Sequence, residues 1–191
     1  LREVEALRYQ YLAQYVTAEP IRQGRTVSSK RPLPHHSKRV LILGDFTVDQ
    51  TLRMLRCIET AARLIDGDLA LTLKPHPIGP VVQEDHPTLS FETTSQPLSE
   101  VMKDFDVAFS SNSSTAGLDA YLAGLPAVIF LDDQEANQSP LRGVEDVRFV
   151  STPKELAVAL SEDRRRGPSA TPEDFFWVDD KLPRWRRVLL E

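Results

Sequence analysis

Two short polar motifs in this chain each directly follow an apolar run. The first is Lys74-Pro75-His76-Pro77, and the second is the hydroxyl-rich run Ser-Ser-Asn-Ser-Ser-Thr at residues 110–115. An imidazole can donate to a phosphate oxygen or act as an acid near neutral pH. Small hydroxyl residues at a helix start, with its free backbone N–H groups, can bind anions. Together the motifs predict a site for a phosphate-bearing ligand.

The first motif presents a histidine between two prolines. Pro75 and Pro77 fix φ on both sides of His76 and stiffen its presentation. Lys74 alternates with Leu73, so we expect it to face the other side of the sheet while adding positive charge nearby. We predict that His76 is catalytic and that Lys74 and Pro77 bind the ligand. The alternative is a proline-rich turn that carries a surface histidine.

The second motif begins a predicted helix, where a partial positive charge favours anions. Ser113 or Ser114 can cap that helix, which leaves other hydroxyls for a ligand. Asp119 lies one turn further on the same face as Thr115, where we expect it to hold the serine loop or a ligand hydroxyl. The alternative is a polar loop with one capping serine and an exposed acid. We predict ligand binding by the following residues: Ser110, Ser111, Asn112, Ser113, Ser114, Thr115 and Asp119.

Alternating strand and helix patterns place both motifs at one edge of a sheet. Apolar runs predict strands at 40–43, 69–74, 89–91, 106–110, 127–131 and 147–150, and helical patterns predict helices at 48–65, 97–103, 114–123 and 153–162. Thr47 with Gln50, and Thr152 with Glu155, have capping-box spacing. The order indicates an α/β fold, a Rossmann-like parallel sheet with helices on both faces. Ligands bind at the carboxyl ends of such strands.

Composition divides the chain into four segments. Residues 1–16 have a helical pattern, and residues 17–38 are rich in proline, hydroxyl residues and cations, which is typical of a linker. We predict a Rossmann-like domain at 39–163 and an aromatic-rich helical extension at 164–191, which packs on the body or on a missing domain. Because the sequence lacks an initiator methionine, we expect a fragment whose first helix ends a missing N-terminal domain.

Overall composition excludes several classes of protein. The 191 residues are 41% hydrophobic and 27% charged, as in ordinary globular proteins, and the net charge of −5 argues against a general nucleic-acid binder. No apolar run reaches the roughly 18 residues that a membrane span needs. The single Cys57 excludes an internal disulfide and fits a cytoplasmic setting.

Three other polar groups are weaker candidates for a site. Gly44-Asp45 follows the first strand, but the full glycine fingerprint of a dinucleotide site is missing. His35-His36 has no matching cluster of metal ligands. Asp132-Asp133 suits a ribose or a metal, although we favour a solvated turn. We therefore predict no metal and no cofactor.

The motifs also resemble a known family when they are taken in order. They are the following segments: Lys74-Pro75-His76-Pro77, residues 106–114, Asp119-Ala120 and residues 124–128. At this spacing they resemble the C-terminal half of GT-B glycosyltransferases, above all bacterial surface-carbohydrate enzymes of the Kdo- and sialic-acid-transferase type with a His-Pro motif. The resemblance implies one half of a GT-B fold and a CMP- or CDP-linked sugar donor whose phosphate contacts His76 and residues 113–115.

The same resemblance implies partners for the full-length enzyme. These are a nucleotide-sugar donor, a glycan or lipid-linked acceptor, peripheral membrane association, and a missing N-terminal domain that carries the acceptor side and the general base. We hypothesise a donor-binding domain in which His76 and the helix start stabilise the charge on the leaving phosphate. Two alternatives stay open: a non-catalytic binding or scaffold domain of the same fold, and a nucleotide-sugar epimerase.

Overall fold

The chain folds around a parallel β-sheet that has six strands within the described residues. The structure is a computed structural model, and it describes residues 3–12, 37–162 and 169–190. The strands are β1 Lys38–Leu43, β2 Leu69–Lys74, β3 Glu92–Thr93, β4 Val107–Ser111, β5 Ala127–Phe130 and β6 Arg148–Val150. Their spatial order is β3-β2-β1-β4-β5-β6, with every neighbouring pair parallel. This doubly wound order confirms the predicted Rossmann-like α/β fold.

Helices cover both faces of the sheet. The α-helices are α1 Val48–Ala62, α2 Leu98–Val101, α3 Ala116–Leu122, α4 Pro153–Ser161, α5 Pro172–Phe175 and α6 Pro183–Leu190, and short 3₁₀ helices occupy Leu7–Leu12, Gln83–Asp85 and Met102–Asp104. Val40 and Ile42 of β1 pack in the core that α1 and α4 cover. Leu41 and Leu43 point the other way, into the core beneath α2 and α3. A strand that is buried on both faces is typical of a parallel sheet.

The two predicted capping boxes have different outcomes. Thr152 and Glu155 form the predicted box, because the Thr152 hydroxyl accepts from the Glu155 N–H at 3.2 Å and the Glu155 carboxylate accepts from the Thr152 N–H at 3.2 Å. The box at Thr47 was wrong. Thr47 is the N-cap residue of α1 but makes no side-chain capping bond. Its hydroxyl donates instead to Asp45 at 3.1 Å, where it helps to build the site described below.

The third predicted strand is displaced along the chain. Leu89 and Phe91 are buried in the core as expected, but the pairing with β2 takes place at Glu92–Thr93. The cause is the Gln83 side chain, which bonds the backbone of this segment. Its Oε1 accepts from the Phe91 N–H at 2.6 Å, and its Nε2 donates to the carbonyls of His86 and Leu89 at 2.8 and 2.7 Å. These backbone groups are therefore not available to β2.

The two terminal segments pack against each other. The rings of Tyr9 and Phe176 stack with their centroids 4.0 Å apart. The carboxylate of Glu5 accepts from the backbone N–H groups of Arg184 and Trp185 at 2.9 and 3.0 Å. The C-terminal extension thereby holds residues 3–12 on the body of the domain, next to α3.

Part of the predicted domain organisation lies outside the described residues. The predicted helix over residues 1–16 corresponds, where the structure describes it, to the 3₁₀ helix Leu7–Leu12. Almost all of the predicted linker at 17–38, and the first residues of the predicted extension at 164–191, fall in the ranges 13–36 and 163–168, which the structure does not describe.

Candidate functional site

Both predicted motifs lie at the carboxyl-terminal edge of the sheet. Leu43, the last residue of β1, pairs with Lys74 of β2 on one side and with Ser110 of β4 on the other. Neighbouring strands lie about 4.8 Å apart, so Lys74 and Ser110 are separated by roughly 10 Å. The loop that follows β1 lies between the two motifs and is in a position to organise both.

Asp45, in the loop after β1, is the centre of a hydrogen-bond network. Its carboxylate accepts from the hydroxyls of Ser111 at 2.5 Å and Ser113 at 2.7 Å. It also accepts from the N–H and the hydroxyl of Thr47 at 3.0 and 3.1 Å. Burial alone would raise the pKa of Asp45, but these bonds, that of Ser111 above all, hold the pKa below its usual range. Asp45 is therefore an ionised group that ties the serine motif to the loop after β1.

Gly44 allows the loop after β1 to approach the His-Pro motif. A Cβ atom at this position would lie 3.1 Å from the backbone nitrogen of His76 and 3.1 Å from the Cα of Pro75. The Gly44 N–H also donates to the carbonyl of Lys74 at 2.9 Å. A side chain here would push the loop that carries His76 away from Asp45, so the glycine sets the spacing of the two motifs.

His76 lies in a tight turn at the end of β2. The N–H of Gly79 donates to the His76 carbonyl at 3.0 Å, and the two residues form a short bridge. The imidazole Nδ1 accepts from the N–H of Ile78 at 3.3 Å. In the neutral ring this bond leaves the proton on Nε2. The half-buried ring therefore presents a donor to the sheet edge.

The other two predicted ligand residues of this motif have different surroundings. The ammonium of Lys74 donates to the backbone carbonyl of Gln96 at 2.6 Å, which ties its charge to the segment after β3. Pro77 is exposed beside His76 and has no N–H to donate. The structure thus brings Lys74 and Pro77 to the edge, but His76 has the better donor for an anion.

Four members of the serine motif donate side-chain hydrogen bonds inside the protein. Ser111 and Ser113 donate their hydroxyl protons to the carboxylate of Asp45. Ser110 is fully buried, and its hydroxyl donates to the Ser111 carbonyl at 3.4 Å. Asn112 is also fully buried, and its Nδ2 donates to the carbonyl of Ala136 at 3.1 Å. These side chains give the loop its shape.

The hydroxyl oxygens of Ser114 and Thr115 both act as hydrogen-bond acceptors. The Ser114 oxygen accepts from the N–H of Ala116 at 3.2 Å, and the Thr115 oxygen accepts from the guanidinium of Arg8 at 3.1 Å. A hydroxyl has one proton in addition to its acceptor lone pairs. Among the described residues both oxygens act as acceptors in these bonds, and Ser114 is half-buried while Thr115 is exposed.

The helix that follows the serine motif begins later than predicted. The side chain of Thr115, the residue before α3, makes no capping bond. The expected cap by Ser114 is present, because its oxygen accepts from the N–H of Ala116, the first residue of α3, at 3.2 Å. Gly117 permits close packing of α3 on the sheet. A Cβ atom there would lie 2.9 Å from the Cδ1 of Ile129 and 3.1 Å from the Cβ of Ser110.

Asp119 is buried on α3 and holds the N-terminal segment. Its Oδ2 lies 3.7 Å from the guanidinium of Arg8, and the Tyr11 hydroxyl donates to its carboxylate. Its Oδ1 is buried with no hydrogen-bond partner among the described residues. Burial raises the pKa of Asp119 to about 6, against the opposing effects of Arg8 and Tyr11. The alternative of an exposed acid at this position is therefore wrong.

An ion pair that the sequence motifs did not predict lies at the same edge. Asp132 follows β5, and its carboxylate lies 2.7 Å from the guanidinium of Arg53, which is also 2.7 Å from Asp49. Burial opposes ionisation, but the Gln134 N–H and Arg53 hold the pKa of Asp132 below its usual range. The favoured interpretation of a solvated turn is wrong for Asp132, which is buried, whereas Asp133 is exposed. The i,i+4 spacing of Asp49 and Arg53 was the one local signal.

The described part of the chain has neither a candidate metal-binding cluster nor a helix that could span a membrane. Residues 3–12, 37–162 and 169–190 contain no group of three or more histidine, cysteine and acidic side chains placed to hold a metal ion. Over the same ranges, no helix combines the length and the apolar character that crossing a bilayer requires.

Glycosyltransferases are among the solved structures that share this fold. SnogD from Streptomyces nogalater is 13% identical with a TM-score of 0.50, and the match covers 91% of this chain and 49% of that one. The beta Kdo 2,7 transferase KpsC of Thermosulfurimonas dismutans is 13% identical with a TM-score of 0.49 over 81% of this chain and 50% of that one. The glycotransferase of kitacinnamycin is 22% identical with a TM-score of 0.47 over 72% and 38%.

The match to SnogD shows a shared fold: this chain is a Rossmann-like domain. The chain spans half or less of the length of these three proteins. No protein-family model and no curated protein matches the sequence.

Proposed function

We propose that the chain is the donor-binding domain of a cytoplasmic glycosyltransferase that transfers a sugar from a CMP-linked donor to a surface glycan or lipid-linked acceptor. The observation that supports this proposal is that three hydrogen-bond donors lie at one edge of the sheet. They are the Nε2–H of His76 and the hydroxyl protons of Ser114 and Thr115, whose oxygens act as acceptors within the protein. The ionised Asp45 between them sets the position of the serine motif.

The proposed mechanism is electrostatic. Cleavage of the sugar–phosphate bond leaves a nucleotide phosphate whose negative charge grows in the transition state. Donors that are already in place at that charge lower the barrier by a few kcal/mol. His76 Nε2–H and the hydroxyls of Ser114 and Thr115 supply such donors. A second domain supplies the acceptor side and the general base.

Nucleotide titration by calorimetry tests this proposal. We expect CMP to bind more tightly than UDP or ATP, because of the resemblance to transferases with CMP-linked donors. Equal affinity for all three would contradict the cytidine preference. No binding at all would favour the scaffold alternative. His76→Ala should weaken CMP binding by roughly 1.5–3 kcal/mol, about tenfold or more, with little change in melting temperature.

The adjacent serines provide a matched control. Ser114→Ala removes a hydroxyl whose proton is free, and we expect it to weaken CMP binding about fivefold. Ser113→Ala removes a hydroxyl whose proton is bonded to Asp45, and we expect it to lower stability while leaving CMP affinity within about twofold. If the two variants have the same effect on affinity, the assignment of the free proton is wrong. The His76→Ala/Ser114→Ala double variant should be non-additive if both groups contact one phosphate.

A further inference from the structure

The proposed phosphate site needs a positive charge, and two cations near it already have partners. The ammonium of Lys74 donates to the Gln96 carbonyl at 2.6 Å. The guanidinium of Arg53 lies 2.7 Å from each of two carboxylates, so its charge is balanced within the protein. Neither is well placed to balance a phosphate at Ser114 and Thr115.

Arg8 differs from both of these cations. Its side chain keeps 65% of its surface exposed. It donates to the Thr115 hydroxyl at 3.1 Å, and its ion pair with Asp119 is loose, at 3.7 Å. A guanidinium has five N–H donors in a planar fork that matches two phosphate oxygens. Both contacts involve only the Nη2 atom of Arg8, and the side chain is exposed at the end of the serine motif.

The N-terminal 3₁₀ helix holds Arg8 in this position. Side chains three residues apart in a 3₁₀ helix lie on the same face, and Arg8 and Tyr11 both reach Asp119 from that face. The segment is fixed on its other side, because Glu5 binds the backbone of the C-terminal extension and Ala6 donates its N–H to the Trp177 carbonyl at 2.9 Å. The guanidinium is therefore held beside the serine motif although 107 residues separate Arg8 from Thr115.

We propose that Arg8 is a ligand-binding residue of the donor site, where its guanidinium binds the phosphate of the nucleotide together with the hydroxyls of Ser114 and Thr115. This inference rests on the proposed function, because it assigns a further residue to the same site. It also gives a role in binding to residues 3–12, which lie outside the two sequence motifs.

The test compares Arg8→Gln with the unchanged 191-residue chain in calorimetry at low salt with three probes. These are CMP, cytidine and inorganic pyrophosphate. Arg8→Gln should weaken CMP and pyrophosphate binding about tenfold, since a charge-assisted contact is lost, and should leave cytidine binding unchanged. Arg8→Lys should restore part of the CMP affinity, and raised salt should reduce the difference between the variants. Tyr11→Phe, which loosens the same segment but keeps the cation, should stay within about twofold of the unchanged chain.

The outcomes separate this inference from the proposed function. If His76→Ala weakens CMP binding and Arg8→Gln does not, Arg8 is not a ligand residue and the donor site stands. If Arg8→Gln weakens CMP and cytidine equally, its role is structural and the inference is overturned. If the unchanged chain binds pyrophosphate but not CMP, and Arg8→Gln weakens that binding, Arg8 is supported and the nucleotide-sugar function fails. If it binds neither, both fail.

Discussion

Asp45 and Asp119 are both buried carboxylates near the carboxyl-terminal edge of the sheet, but their surroundings differ. Asp45 accepts four hydrogen bonds, from Ser111, Ser113 and the two donors of Thr47. Asp119 has a loose ion pair, one hydroxyl donor and an oxygen with no partner in the described residues. The pKa of Asp45 is accordingly below its usual range, whereas burial raises that of Asp119 to about 6.

The contrast shows how the supply of donors decides what a buried carboxylate does. A fully bonded carboxylate stays charged and fixes the loops around it, so the Asp45 network forms the frame of the site. Asp119 lacks such a set of donors, and its Oδ2 lies 3.7 Å from the Arg8 guanidinium, beyond hydrogen-bond distance. Arg8 is therefore less tightly paired than Arg53, which lies 2.7 Å from each of two carboxylates.

The largest expected effect is that of Asp45→Ala. The substitution leaves the hydroxyls of Ser111 and Ser113 and the N–H of Thr47 without their acceptor, so we expect a loss of about 3 kcal/mol in the free energy of unfolding. Denaturant unfolding measures it. Asp133→Ala is the control, since Asp133 is an exposed acid that follows another strand of the sheet, and it should change stability by less than about 0.5 kcal/mol. Equal effects would show that the network does not stabilise the fold.

The pH dependence of stability should have opposite signs for the two carboxylates. Asp45 has a lowered pKa, so its stabilisation is present above the usual value of 3.8 and is lost as the pH falls through its native pKa. Asp119 has a raised pKa, so its contribution is fully present below 3.8 and is lost as the pH rises through about 6.

Unfolding curves between pH 3 and 7 for the unchanged chain, Asp45→Asn and Asp119→Asn measure these two contributions. Relative to Asp119→Asn, the unchanged chain should lose on the order of 1 to 2 kcal/mol as the pH rises from about 4 to about 6. Relative to Asp45→Asn, it should lose stability as the pH falls below about 4. If stability depends on pH in the same way in all three proteins, the two carboxylates do not differ in their contribution.

The sheet could be predicted from the sequence better than the site. The strands depend on local runs of residues, whereas the site depends on contacts between residues far apart in the chain. The strand Leu69–Lys74 was predicted at both ends, since a local apolar run determines it. His76 and the serine motif were placed at the edge by their position after strands. The partners of Asp45 lie 66 and 68 residues away, and hydrogen bonds at that separation leave no local pattern in one sequence.

The incorrect predictions within the fold also result from side-chain hydrogen bonds that a local pattern does not show. The side chain of Gln83 displaces β3 by bonding to the backbone of Phe91, eight residues further along. Thr47 has the spacing of a capping box, but the carboxylate of Asp45 lies two residues before it and is a stronger acceptor for its hydroxyl. In both cases a side chain competed with the local backbone pattern, and periodicity contains no information about such competition.

The smallest expected effect is that of Tyr11→Phe on the Asp119 side of the comparison. The substitution removes one donor from a carboxylate that has few, so the pKa of Asp119 should rise further. The lost bond should cost about 1 kcal/mol at pH 7. Below about pH 4 the loss should shrink, because Asp119 is then protonated in the folded and unfolded states and a neutral carboxyl accepts a weaker bond.

Thr47→Val is the matched variant on the Asp45 side. It removes one hydroxyl donor from a carboxylate that keeps three others. We therefore expect a smaller rise in the pKa of Asp45 than Tyr11→Phe causes in that of Asp119. NMR titration of the two carboxyl groups in the three proteins measures both changes. A larger rise at Asp45 would mean that the number of remaining donors does not determine how strongly each carboxylate responds to the loss of one. No rise at either carboxylate would mean that burial alone sets the difference.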